Sequence, residues 1–110
     1  SIQGDQVTAS DGFRLRLPGG AWSLQRGALA LRSGPGSAWP VQAVTRPPEA
    51  QLRGARRLAG AATLRPGWWD PAQRRLWMDL GPGRWLQVEG VTEAEAFRLL
   101  DQLLAPTSSS

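Results

Sequence analysis

Apolar and polar residues alternate with a period of two through much of this chain and with a period near 3.6 at its end, a pattern of short strands closed by an amphipathic helix. The ending is clearest. Thr92-Glu93-Ala94-Glu95 has the Ser/Thr-x-x-Glu spacing of a capping box, in which the threonine hydroxyl and the glutamate carboxylate satisfy N–H groups that a helix start leaves unbonded. Val91 and Ala96 stand where a hydrophobic staple places its two members. The spacing predicts a helix over 93–105. At 100° per residue, Ala96, Phe97, Leu99, Leu100, Leu103 and Leu104 fall within an arc of about 160°, with Arg98, Asp101 and Gln102 opposite. Pro106 cannot continue the helix, so residues 1–106 read as one α+β domain and 107–110 as a disordered Ser-rich tail.

Before the helix lies a hairpin. Its arms are Arg75–Leu80 and Arg84–Glu89, joined by Gly81-Pro82-Gly83. A three-residue loop pairs Leu80 with Arg84, Met78 with Leu86 and Leu76 with Val88, which keeps the aliphatic side chains on one face. The other face then carries Trp77, Asp79, Trp85, Gln87 and Glu89. Trp85 stands opposite Asp79 and diagonal to Trp77, close enough for the two indoles to touch.

The first half reads as strands between the turn signals Asp11-Gly12, Pro18-Gly19-Gly20, Arg26-Gly27 and Ser33-Gly34-Pro35-Gly36. Phe13, Leu15 and Leu17 alternate with Arg14 and Arg16; Trp22 with Leu24 and Leu29 with Leu31 follow, and a further strand covers Trp39 to Thr45 with Pro40 at an edge. Pro47-Pro48-Glu49 opens a second helix over 48–59, in which Leu52, Ala55, Leu58 and Ala59 recur at helical spacing and Gly54 is a weak point. Ala62-Thr63-Leu64 reads as a strand and Pro66–Pro71 as a loop with two adjacent indoles. The expected architecture is therefore α+β: an antiparallel sheet of about five to seven strands packed against the C-terminal helix and one further helix.

Composition narrows the chemistry. The chain has 110 residues, with no Cys, His, Lys, Tyr or Asn, and arginine supplies all 13 basic side chains. Without His or Cys there is no triad of the usual kind, no zinc site of nitrogen and sulfur ligands and no disulfide; without Lys there is no Schiff base. No cofactor or metal is called for. The net charge of +4 and pI of 11.5 invite a nucleic-acid reading. An Arg-only, Asn-free composition rich in Ala, Gly, Leu, Pro and Trp is also what a GC-rich bacterial genome produces. No stretch approaches the ~20 apolar residues that cross a bilayer, and no basic-then-apolar leader opens the chain, so it reads as soluble.

Three constellations carry candidate chemistry. Trp77 and Trp85 with Asp79 on the outer hairpin face have the elements of a sugar-stacking platform, and Trp68 and Trp69 extend the set as a ligand or partner surface; their ordinary role is a second packing layer. Arg53, Arg56 and Arg57 at i, i+3, i+4 would share one helical face, and with Arg74 and Arg75 could contact phosphates, although a solvated charged face is the usual explanation of such a run. Asp79 and Glu89 are the one carboxylate pair on a shared surface, but the register sets their backbones roughly 13 Å apart, beyond the ~5 to 9.5 Å between glycosidase carboxyl groups.

Gly12–Pro18 followed by Ala21-Trp22 resembles the opening of PsbP-like α-β-α sandwich domains. Leu76-Trp77, the hairpin, Arg84–Gly90 and a capped helix ending in Leu103-Leu104 are similar to the closing unit of small extracytoplasmic domains of bacterial anti-sigma and envelope-stress regulators of the MucB/RseB type. The resemblance implies an extracytoplasmic, non-enzymatic binding or regulatory module that contacts a protein partner or an apolar, lipid-like ligand. An Arg/Trp-based nucleic-acid-binding domain is the alternative, and a carbohydrate-binding module using Trp77 and Trp85 is the third reading.

Overall fold

Alternation along the chain is converted into two antiparallel sheets and two helices. The computed structural model describes residues 1–58 and 66–104. In chain order the elements are β1 (Ile2–Gln3), β2 (Gln6–Thr8), β3 (Arg14–Arg16), β4 (Gly20–Gln25), β5 (Ala28–Ser33), β6 (Trp39–Val44), α1 (Glu49–Gly54), β7 (Arg56–Leu58), β8 (Gly67–Asp70), β9 (Arg75–Asp79), β10 (Trp85–Glu89) and α2 (Glu93–Gln102). A seven-stranded sheet runs β4-β5-β6-β10-β9-β8-β7, and a separate three-stranded sheet runs β1-β2-β3. The strand expected at Ala62–Leu64 and the tail at 107–110 lie outside the described residues, as do Ala59, Ala105 and Pro106.

The hairpin has the expected register. Met78 pairs with Leu86, Leu76 with Val88 and Asp79 with Trp85, and the Leu80 N–H donates to the Arg84 carbonyl at 2.9 Å. Leu76, Met78, Leu86 and Val88 accordingly fall on one face, buried with Val91, Ala96, Leu99, Leu100 and Leu103 beneath α2. The small sheet completes this core with Leu15 and, just after β3, Leu17. The capping box is formed: the Glu95 N–H donates to the Thr92 hydroxyl at 3.2 Å and the Thr92 N–H to the Glu95 carboxylate at 2.8 Å. On α2, Arg98, Asp101 and Gln102 face solvent as the wheel predicts. No described helix is long and apolar enough to cross a membrane.

Several expectations are corrected. The second helix ends at Gly54, and Arg56–Leu58 leaves it to pair with Gly67–Trp69. Glycine is a poor helix former, and three ladder positions outweigh one more turn of a short helix. The segment read as a loop around Trp68 and Trp69 is strand β8, because β-forming indoles pointing to opposite faces are each partly covered by a different layer. Strand β6 has a sheet neighbour on each side, yet its start is bonded on one side only, as Pro40 predicts. It pairs with β5 only at Trp39 and Pro40 and with β10 only from Val41 to Val44, so Pro40 sits where one ladder hands over to the other. The C-terminal helix stops at Gln102 because the chain turns extended: Leu104 exchanges both backbone hydrogen bonds with Arg16, at 2.7 and 2.9 Å, and its side chain is left exposed. Leu24, on the same side of its strand as buried Trp22, is also exposed, near the end of the β4–β5 hairpin. The β1–β2 hairpin, unexpected from the sequence, turns at Gly4-Asp5, where Gly4 takes a positive φ of 60°.

At Gly67, β8 lies directly against Leu100 of α2. A Cβ there would lie 2.6 and 2.7 Å from the two methyl carbons of buried Leu100. Gly67→Ala is expected to destabilise the protein by about 1–3 kcal/mol. Leu100→Ala alone leaves a void costing ~2–5 kcal/mol, and in its background the added methyl should cost far less. Urea denaturation of the four proteins of this cycle measures the coupling; strict additivity would contradict the close approach.

Candidate functional site

Trp68, Trp77, Trp85, Asp79 and Glu89 lie on the outer face of the large sheet, Trp69 and Arg56 on the other, and the structure gives most of the sequence-predicted residues structural partners. Trp77 and Trp85 are 2% and 6% exposed, covered with Trp68 by Leu52 of α1. The ring pair that forms is Trp68 with Trp85, centroids 5.4 Å apart and tilted by 33°, in place of the expected contact between Trp77 and Trp85. The Trp77 indole N–H donates to Gln87 at 2.9 Å. Trp69 faces the other way, into the main core, and donates to the Val91 carbonyl at 3.0 Å. Trp77 and Trp85 thus offer no open indole face on which a sugar could stack.

The carboxylates are likewise engaged. Glu89 accepts from Arg75 at 2.6 Å and from Gln87 at 2.8 Å, which joins Arg75, Glu89, Gln87 and Trp77 in one hydrogen-bonded strip across β9 and β10. Asp79 accepts from the Gly81 N–H at 3.0 Å and shapes the hairpin turn. Glu89 stands opposite Arg75 and Asp79 opposite Trp85, at the two ends of the ladder. The described residues include no cluster of three or more carboxylates placed to hold a metal ion.

Arg53, Arg56 and Arg57 do not share a helical face. Arg53 ends α1, whereas Arg56 and Arg57 are neighbours on β7 and point to opposite sides of the sheet. Arg56 pairs with Glu93 of α2, and Arg57 stands 5.9 Å from the Trp68 ring centroid. Arg74 takes a positive φ of 53° in the turn before β9, and Arg75 pairs with Glu89. Two of the five are thus paired with carboxylates, and the five are spread over α1, β7, β9 and the turn before it.

A hollow lies elsewhere, between the two sheets. The small sheet contributes Val7, Ala9, Phe13 and Leu15, and Leu29 and Ala43 come from β5 and β6 just beyond Pro40, where those strands no longer pair. The hairpin supplies Leu80, Trp85 and Leu86. The cavity has a volume of about 150 Å³ and a wall that is almost entirely apolar. Arg84 is its one ionisable lining residue. The guanidinium lies 4.0 Å from the Phe13 ring centroid and forms an ion pair with Asp11. Asp11 also accepts from the Phe13 N–H at 3.1 Å. These two bonds, that from Arg84 first, hold the Asp11 carboxyl below its ordinary value of 3.8.

No family model, curated protein or solved structure matches the chain. Its chemistry therefore has to be read from the geometry. The hollow is a place for apolar contact with one cation at its wall, and none of its residues has the paired acid and base of proton-transfer catalysis. Sequence patterning does not reveal it, because Asp11 and Arg84 lie 73 positions apart. Each is locally ordinary: Asp11 belongs to a turn signal and Arg84 opens a strand.

The ion pair sets a pH dependence of known sign. Because the folded state lowers the Asp11 pKa, its contribution to stability is present above the ordinary value and is lost as pH falls through the lowered one. An NMR titration of the Asp11 carboxyl is expected to give a midpoint below 3.8 in the native protein and one nearer 3.8 in Arg84→Gln. Coincident midpoints would show that the bond does not persist in solution.

Proposed function

We propose that this chain is a non-enzymatic binding module that takes a small apolar group into the hollow between its two sheets. The carrying observation is the about 150 Å³ apolar cavity walled by Leu29, Ala43, Leu80 and Leu86. A cavity of roughly 150 Å³ lined by aliphatic and aromatic side chains is large enough to take up a benzene ring. It is smaller than the ~300–1,000 Å³ pockets of drug-sized ligands. The occupant this size selects is one ring or a short aliphatic segment of a lipid-like molecule.

The non-enzymatic part of the proposal draws support from two sides. The sequence lacks His, Cys, Lys and Tyr, and Asp79 and Glu89 serve the turn and the polar strip. The setting proposed is the bacterial envelope, supported by the resemblance of the closing hairpin and helix to extracytoplasmic regulator domains.

Uncharged 1-hexanol tests the reading. Titration followed by methyl NMR is expected to show saturable shifts at Leu29, Leu80 and Leu86, all of which line the cavity. Ala43→Phe places a ring in the same space, and tenfold weaker binding is expected, about 1.4 kcal/mol. Shifts scattered over the surface, or none up to the solubility of the alcohol, would defeat the proposal.

A further inference from the structure

We propose that the natural ligand of this hollow carries a carboxylate, and that Asp11 occupies the ligand's place on Arg84 until the ligand arrives. This rests on the reading of the hollow as a ligand site. It adds the chemical class, a small monocarboxylate with an apolar tail.

The argument begins with the position of the charge. Arg84 is the one ionisable group among the residues lining an otherwise apolar cavity. Its backbone is fixed in the hairpin turn, donating to the Gly81 carbonyl at 3.1 Å and accepting from the Leu80 N–H at 2.9 Å. The side chain lies against Phe13, which also lines the cavity, so the cation is held beside the space where an apolar tail would lie. A guanidinium has five donors in a planar fork that fits a carboxylate at two points. One nitrogen, Nη2, carries the bond to Asp11, so the fork has donors to spare for a second carboxylate.

Asp11 is suited to give way. Its side chain is 53% exposed and that of Arg84 35%, and an ion pair so open to water contributes little to stability. The Phe13 N–H retains one Asp11 oxygen when the arginine is taken by another carboxylate, so the turn need not unravel. A ligand carboxylate brings the same chemistry as Asp11 and adds burial of its tail. That added burial favours exchange, since apolar contact is what the cavity supplies. A neutral ligand of equal size gains the burial but leaves Arg84 with Asp11.

Paired titrations of hexanoate and 1-hexanol at pH 7 and fixed salt, read by methyl NMR, separate the two ideas. In the native protein hexanoate is expected to bind about threefold to tenfold more tightly. Arg84→Gln should erase that preference, so that hexanoate and hexanol bind the variant with about equal affinity. Asp11→Asn removes the internal competitor, and hexanoate is expected to bind about threefold more tightly than it binds the native protein, widening its preference over hexanol. Equal affinity for acid and alcohol at the cavity would overturn the carboxylate inference and leave the binding reading in place. An unchanged hexanoate affinity in Asp11→Asn would overturn the role of Asp11. Failure of both ligands to bind the native protein would remove the binding reading and this inference together. The native comparison needs no variant to fold.

Discussion

Both faces of the hairpin at the centre of the large sheet are apolar, and this constraint sets the layering of the molecule. Leu76, Met78, Leu86 and Val88 on one side and Trp77 and Trp85 on the other are all buried. A sheet of this kind has to be covered twice. α2 and the small sheet cover the aliphatic side. The indole side is covered by α1, which at six residues is roughly 9 Å long and reaches only part of the ladder. Where the helix does not reach, Arg75, Gln87 and Glu89 replace apolar surface with a strip whose polar atoms satisfy one another. The large sheet is thus sandwiched at one end of β9–β10 and closed by hydrogen bonds at the other.

The small sheet depends on the C-terminus as much as on its own strands. Its three strands are two or three residues long, too short to stand alone in water. Arg16 exchanges backbone bonds with Leu104 directly after α2, and Trp22 donates from its backbone to Gly4 and from its indole to Asp5. These ties hold the first turn of the chain against β4 and the last against β3. The hollow lies between sheets fastened to each other in this way, so its shape is coupled to contacts far from its own lining.

Local patterning made legible the elements whose partners are near in sequence. The hairpin register followed from alternation and loop length alone, and the α2 start followed from Thr92 and Glu95. Elements decided by distant partners were not legible. Arg56–Leu58 has acceptable helical spacing, and only its ladder with Gly67–Trp69, beyond an intervening segment, makes it a strand. Trp68 and Trp69 resemble a loop until the two layers that partly cover them are known. The β1–β2 turn did leave a signal in Gly4-Asp5 between Ile2 and Val7, a turn dipeptide flanked by apolar residues. The candidate site divides in the same way. Trp77, Trp85, Asp79 and Glu89 share one face as the alternation requires, but their burial and their partners depend on α1 and β8. The Asp11–Arg84 pair joins two turns that nothing local connects.

The hollow has a structural origin in the same hand-over that gives β6 a sheet neighbour on each side. Beyond Pro40, β6 leaves β5 for β10, so Leu29 and Ala43 flank a gap that pairing does not close. Side chains could still fill it, as they do in most protein interiors, where close packing is the rule. Here two of the wall positions are alanines, Ala9 and Ala43, and the lining side chains are left without neighbours on one side. In the neighbouring core Leu76, Met78 and Val88 are fully buried. A hollow at the sheet junction, with small residues in its wall and one cation against its aromatic side, is the feature on which the proposed binding function rests.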